Sequence, residues 1–245
     1  MNTAHEEAQI TVRAQGPEAL YAILSRHHRV RLEDFEDAAT PQIEFAVGTW
    51  HRRALFGHPR VEGPYGLIEL MDNNPIVCAD AASCPGPAAT LALIGLGPLA
   101  RASLLTLPAS VELNFQKGAE EVPTALEMQG GSVDVRIETR LDAPVTVLTA
   151  TCLAQIPEAI SEADIHDVYS ECYVRSFFVR RVSEERVTDG LLGAPYANYC
   201  LRVTEQGPQR AVEVKVAADP DGKAGSAQLV HLMNVMGGFE EGLGL

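Results

Sequence analysis

Residues 88–100, Ala-Ala-Thr-Leu-Ala-Leu-Ile-Gly-Leu-Gly-Pro-Leu-Ala, limit what this chain can fold into more than any other stretch. A helix that is apolar nearly all round has no face to turn to water, so it must lie buried, here against the sheet formed by the strands that follow. The run is too short to cross a bilayer, which takes about 20 apolar residues. It begins just after Cys84-Pro85-Gly86-Pro87. Proline is tolerated in a first helical turn, where its missing N–H would be unpaired anyway, so Pro85 and Pro87 place Cys84 at the helix mouth. Free N–H groups and the positive end of the helix dipole then face the sulfur and favour thiolate, pulling its pKa below the usual value of about 8.5. Two readings follow for Cys84: a nucleophile for acyl carbon, or a small buried residue at a strand-to-helix corner.

Upstream, residues 9–13 alternate like a strand, residues 17–27 carry Leu20, Ile23 and Leu24 at helical spacing, and short strands are expected at 30–32 and 42–47. This is the skeleton of a βαβ unit. Downstream, residues 132–140 alternate cleanly, and the β-branched run 145–154 suits a central strand. Ser161 with acidic residues behind it starts a helix over 162–173, and residues 211–217 read as an edge or half-buried strand. The fold class is therefore α+β (α/β): a mixed, mainly antiparallel sheet with helices on one face, preceded by a βαβ segment.

With 46% hydrophobic residues in 245, the chain can bury a substantial core. A net charge of −14 argues against nucleic acid or an anionic membrane as partner. Five cysteines without C-x-x-C spacing suggest neither a disulfide framework nor a metal site, and residues 1–7 lack the pattern of a secretory signal; a cytoplasmic protein is expected.

Tyr65-Gly66-Leu67-Ile68-Glu69-Leu70, then Pro75-Ile76-Val77-Cys78-Ala79-Asp80, then the Cys84 corner resemble N-acetyl-γ-glutamyl-phosphate reductase of the aspartate-semialdehyde dehydrogenase superfamily. There Y-G-L-P-E-L leads through a strand to N-P-G-C-x-P-T-A-A. Further similarities follow in order. Phe177-Phe178-Val179-Arg180 is similar to P-F-V-R-V, Asn198-Tyr199-Cys200 to N-Y-C, and residues 222–234 to K-G-A-S-G-Q-A-V-Q-N-M-N. The chain is thus identified as a shortened, divergent member. The resemblance implies a Rossmann-like βαβ segment over residues 1–62 and a semialdehyde-dehydrogenase-type catalytic and dimerisation domain over 63–245.

In that family a cysteine takes an acyl group from an acyl phosphate as a thioester, which NADPH then reduces. The resemblance places Cys84 at this position and Glu121 where the family has a histidine acid/base; read as a residue, Glu121 fits solvated surface as well. It implies substrate contacts at Asn198, Lys223 and Gln228. The first strand-to-helix turn, Arg13-Ala14-Gln15-Gly16-Pro17-Glu18, keeps one of the several glycines that a dinucleotide turn needs. No cofactor is therefore expected, with NADP reserved for a reductase reading.

Three functions remain open. One is a cysteine enzyme that forms a thioester from a small acyl or carrier-bound substrate but has lost reduction, with His51, His58, His166 or His231 as candidate base. The second is a non-catalytic scaffold or regulatory subunit, and the third an NADP-dependent acyl-phosphate reductase. A homo-oligomer, or a hetero-oligomer, is expected by resemblance.

Overall fold

A computed structural model describes residues 9–105, 108–131, 134–141, 145–157, 159–206 and 209–245. The first sheet is built from β1 (Ile10–Gly16), β2 (Val30–Asp37), β3 (Gln42–Val47), β4 (Trp50–Phe56) and β5 (Ala81–Cys84), in the order β2-β1-β3-β4-β5. Helix α1 (Glu18–Arg26) connects β1 to its parallel neighbour β2, as the alternating and helical spacings predict. β3 then runs antiparallel to β1 and turns into β4 through Gly48, whose φ of 64° favours glycine. β4 had no counterpart in the expected elements. β5 lies parallel to β4, and the short helix α2 (Asn73–Val77) precedes it.

The second sheet holds β6 (Ala109–Leu113), β7 (Val135–Thr139), β8 (Leu148–Pro157), β9 (Val179–Arg181), β10 (Ala197–Gln206) and β11 (Gln209–Ala218), in the order β7-β6-β8-β11-β10-β9. Only its outer pairs, β6 with β7 and β9 with β10, are parallel. β8 sits centrally, as its β-branched run predicts. Of the two expectations for residues 211–217, the half-buried strand holds, since Val212, Val214 and Val216 are buried while Ala211, Glu213 and Lys215 are not, and the edge position is corrected: β11 pairs with both β8 and β10. Residues 132 and 133 of the alternating run lie outside the described residues.

The apolar run becomes α3 (Pro87–Arg101), buried from Ala88 to Ala100. It packs on β8 and β11, with α4 (Val122–Met128) and α5 (Glu162–Tyr173) around it. Gly95 allows the close approach: a Cβ there would stand 2.4 Å from the Cys152 Sγ on β8. Pro98 has no N–H for the carbonyl of Ile94 four residues back, and such a buried acceptor needs a partner. The hydroxyl of Tyr173 on α5 supplies it at 3.1 Å, while Tyr169 OH donates to Gly95 O. α5 starts on the predicted Ser161, which forms a reciprocal capping box with Asp164.

The chain then returns. Helix α6 (Ser226–Gly237) leaves the second sheet and packs beside α1 against β3, β4 and β5, so that Ala227 to Met236 complete the first hydrophobic cluster. Arg52 on β4 is 3% exposed and fastens this arrangement. Its guanidinium donates to the carbonyls of Ile76, Val77 and Ala79 at the end of α2 and to Met236 O near the end of α6. A cation suits helix C-termini, where carbonyls have no partners of their own.

Candidate functional site

Cys84 ends β5 opposite Phe56, and the turn of Pro85 and Gly86 leads into α3. The sulfur does stand at the strand-to-helix corner, but it is fully buried and points back into the sheet, with Sγ 3.5 Å from Leu55 O. Burial pushes the thiol far above its ordinary range; Lys223 opposes this, Glu121 adds to it, and the Gln228 amide opposes it. The expectation of a lowered pKa is thus corrected. The physical reason is burial, which strips water from the thiolate; the start of α3, moreover, has an occupant of its own.

Its occupant is Glu121. This residue closes a turn over Ala119–Glu121 just ahead of α4, and the carboxylate accepts from Gly86 N–H at 3.1 and 3.2 Å and from Tyr65 OH at 2.6 Å. It is 9% exposed, which corrects the solvated-surface reading. Burial raises its pKa, opposed by the bonds from Tyr65 and Gly86. The fit is tight enough that a Cβ on Gly86 would stand 2.5 Å from Glu121 Oε2. The Glu121 carboxyl group thus sits against the N-cap residue at the positive end of α3.

Two more expected residues gather at the same corner. Gln228 on α6 donates to Pro85 O and to Thr90 Oγ1, both at 2.9 Å. Lys223 is fully buried and pairs with Glu69 at 2.6 Å, a side chain only 5% exposed. Burial alone would raise the Glu69 pKa, but Lys223 and then His231 more than offset it, so the carboxyl is held below its usual range. Asn198 stands apart from this group in its contacts: its amide donates to Asp189 O at 3.2 Å, holding a loop against β10.

Of the candidate bases, His166 lies near Glu162 and Arg181 on the surface of α5, and His51 is exposed on β4. His58 is exposed, yet its charge reaches Glu121. His231 is buried on α6, with Nε2 3.0 Å from Glu241. The residues missed as site members are Tyr65 and Glu69. Both sit in the Tyr65-Gly66-Leu67-Ile68-Glu69-Leu70 motif, and the signal that could have found them is that a buried lysine needs a buried acid.

Comparison with curated proteins gives relatives along most of the chain. A protein of Thermomicrobium roseum assigned as a LysW-L-2-aminoadipate 6-phosphate reductase is 29% identical over 234 aligned residues, which cover 77% of this chain and 65% of the relative. The N-acetyl-γ-glutamyl-phosphate reductase of Halalkalibacterium halodurans is 27% identical, covering 80% and 66%. That of Methanococcus vannielii reaches 37% over 105 residues, covering 42% of this chain and 30% of the relative. Along most of its length the chain is thus similar to reductases of the N-acetyl-γ-glutamyl-phosphate reductase superfamily. It spans about two thirds of the length of the first two relatives. No family-level sequence profile matches it.

The superfamily resemblance implies NADP at the turn between β1 and α1, and the residues there do not fit a pyrophosphate. Pro17 is the N-cap, offers no N–H and makes no side-chain cap, and Glu18 brings negative charge to the first turn. The space above Gly16 is filled by the chain itself: a Cβ there would lie 2.8 Å from Leu20 Cδ2 and 3.3 Å from Pro41 Cβ. Ala38 N–H donates to Gly16 O, so the connection from β2 to β3 is tied over the same end of β1.

Proposed function

We propose that this N-acetyl-γ-glutamyl-phosphate-reductase-like chain acts as a non-catalytic scaffold or regulatory domain, using the reductase frame without its chemistry. The observation that carries this reading is the closed mouth of α3, where Glu121 holds Gly86 N–H and the Cys84 thiol is shut inside. A nucleophilic cysteine needs thiolate and access, and both are opposed here. The filled turn at Gly16 supports the same reading. The partner on this reading is another protein chain. The face of β8 turned away from α3, with Leu153 exposed, supports association through the second sheet.

A second reading, acyl transfer through Cys84 from a small or carrier-bound acyl donor, is favoured by Lys223 and Gln228, whose effects at the sulfur oppose that of burial. Iodoacetamide labelling at neutral pH, read peptide by peptide, separates the two. On the first reading exposed Cys78 is modified, and Cys84 only after unfolding. Modification of Cys84 ahead of Cys78 would overturn that reading in favour of the second. NADPH fluorescence that stays unchanged up to about 1 mM is expected on either, and saturable binding would favour a reductase instead.

A further inference from the structure

A cleft of about 930 Å³ opens between the turn Ile68–Leu70, α2, the C-terminal end of α3, α5 and α6. It runs from Glu69, the partner of Lys223, to Pro98 and Arg101 at the C-terminal end of α3. Among the described residues, two buried polar atoms of its lining side chains have no hydrogen-bond partner, Glu69 Oε2 and His231 Nδ1. Both side chains are more than nine-tenths buried, at 5% and 1% exposed, and both line the cleft.

The roles of these atoms follow from their neighbours. Glu69 Oε1 is taken by Lys223, which leaves Oε2 as a carboxylate acceptor. His231 Nε2 faces Glu241 Oε2 at 3.0 Å. An ionised carboxylate can only accept, so Nε2 carries the proton and Nδ1 presents a lone pair. The ring is fixed in this pose by Phe178, whose centroid lies 4.0 Å away. Two unpaired acceptors therefore belong to the lining, the first of them on the carboxylate that already holds Lys223, and buried acceptors left unpaired are costly. The lining also brings the guanidinium of Arg175 and that of Arg101, which donates to Leu70 O and pairs with Asp72 at 3.6 Å, beside the carboxylates of Asp72, Glu171 and Glu241, while Ile68 and Val168 supply apolar wall.

We propose that this cleft binds a small zwitterion of the unblocked α-amino-acid class, its ammonium seated on Glu69 Oε2 and His231 Nδ1 and its carboxylate turned to Arg175 and Arg101. An ammonium has three N–H donors and no acceptor, which matches the two unpaired acceptors, and the cavity size suits a small molecule. Acylation of the amine removes the charge and two of the donors, so N-acyl derivatives are excluded. The inference goes beyond the non-catalytic reading and holds whether or not Cys84 is reactive.

Isothermal titration of the full chain with a panel of unblocked L-amino acids, with N-acetyl-L-glutamate and N-acetyl-L-leucine, and with n-butylamine tests it. At least one free amino acid should bind with saturation below about 10 mM, and its N-acetyl form should bind at least about tenfold more weakly. Arg175→Ala, an exposed position expected to leave folding intact, should weaken the free amino acid by about fivefold or more. Glu69→Gln should abolish binding. In case that variant does not fold, the His231 ring nitrogen resonance of the unaltered chain should shift on saturation with the same ligand. Absence of saturable binding across the panel, equal affinity for the N-acetyl forms or for n-butylamine, unchanged affinity in Arg175→Ala, or an unmoved His231 resonance would each overturn the proposal.

Discussion

Replacing Lys223 by methionine tests the energetic centre of the site. The substitution keeps length and apolar stem but deletes the ammonium, leaving Glu69 buried at 5% exposure with no cation. Breaking a buried pair from one side destabilises by about 3–5 kcal/mol, because the remaining charge is uncompensated. For a chain of this size that is a fall in melting temperature of roughly 6–20 °C. The pH dependence has a definite sign. In the natural chain the Glu69 pKa is held down, so its contribution is complete above the unfolded value near about 4.3 and is lost as pH falls through the lower folded value. In Lys223→Met burial is opposed only by His231 and a backbone hydrogen bond, so the folded pKa rises, and the deficit is full above that raised value and shrinks as pH falls towards the unfolded one. Urea unfolding of the variant at pH 7 and pH 5 should therefore show a smaller deficit at pH 5. The double variant Glu69→Leu with Lys223→Met should recover to within about 1–2 kcal/mol of the natural chain, since paired apolar replacement of a buried ion pair is close to neutral. A single variant that loses less than about 1 kcal/mol at pH 7, or a double variant as unstable as the single one, would refute the reasoning.

Arg52→Met should cost about 3–5 kcal/mol in chemical denaturation, because the carbonyls of Val77, Ala79 and Met236 lose a charged donor at once; a loss under about 1 kcal/mol would mean the guanidinium is not what ties α2 and α6 to β4. Gly95→Ala should destabilise by about 1–3 kcal/mol despite a gain in helix propensity of about 1 kcal/mol, since the new methyl meets Cys152 Sγ at 2.4 Å; a stabilised variant in the same assay would show that α3 can lift from the sheet. Tyr173→Phe should cost about 1–3 kcal/mol by leaving Ile94 O unpaired beside Pro98, and a neutral melting curve would contradict that account.

Much of the fold was legible because it rests on local periodicity. The all-apolar run became a fully buried helix, the Ser161 cap opened α5 at the expected residue, and the β-branched run supplied residues 148–154 of the central strand β8. For β11 the half-buried alternative held and the edge alternative failed, because alternation shows which face is buried, while the number of neighbours a strand has is decided by pairing with β8 and β10. At the site, motif order carried Cys84, Glu121, Lys223 and Gln228 to one corner, but the state of each was set in space. Glu121 lies 35 positions from Gly86 and looked like surface until that N–H and Tyr65 OH were brought to it.

By itself, the amino-acid order determined which segments could not remain in water, where helices and strands begin, and which known proteins the chain is similar to. Tertiary structure alone decided that the Cys84 sulfur is a closed thiol, that Glu69 and Lys223 neutralise each other across 154 positions, and that Arg52 finds its carbonyls at two helix ends. The reason is physical: hydrophobic periodicity is written in neighbouring residues, whereas the ionisation and pairing of a buried polar group depend on partners that only the folded chain brings within reach.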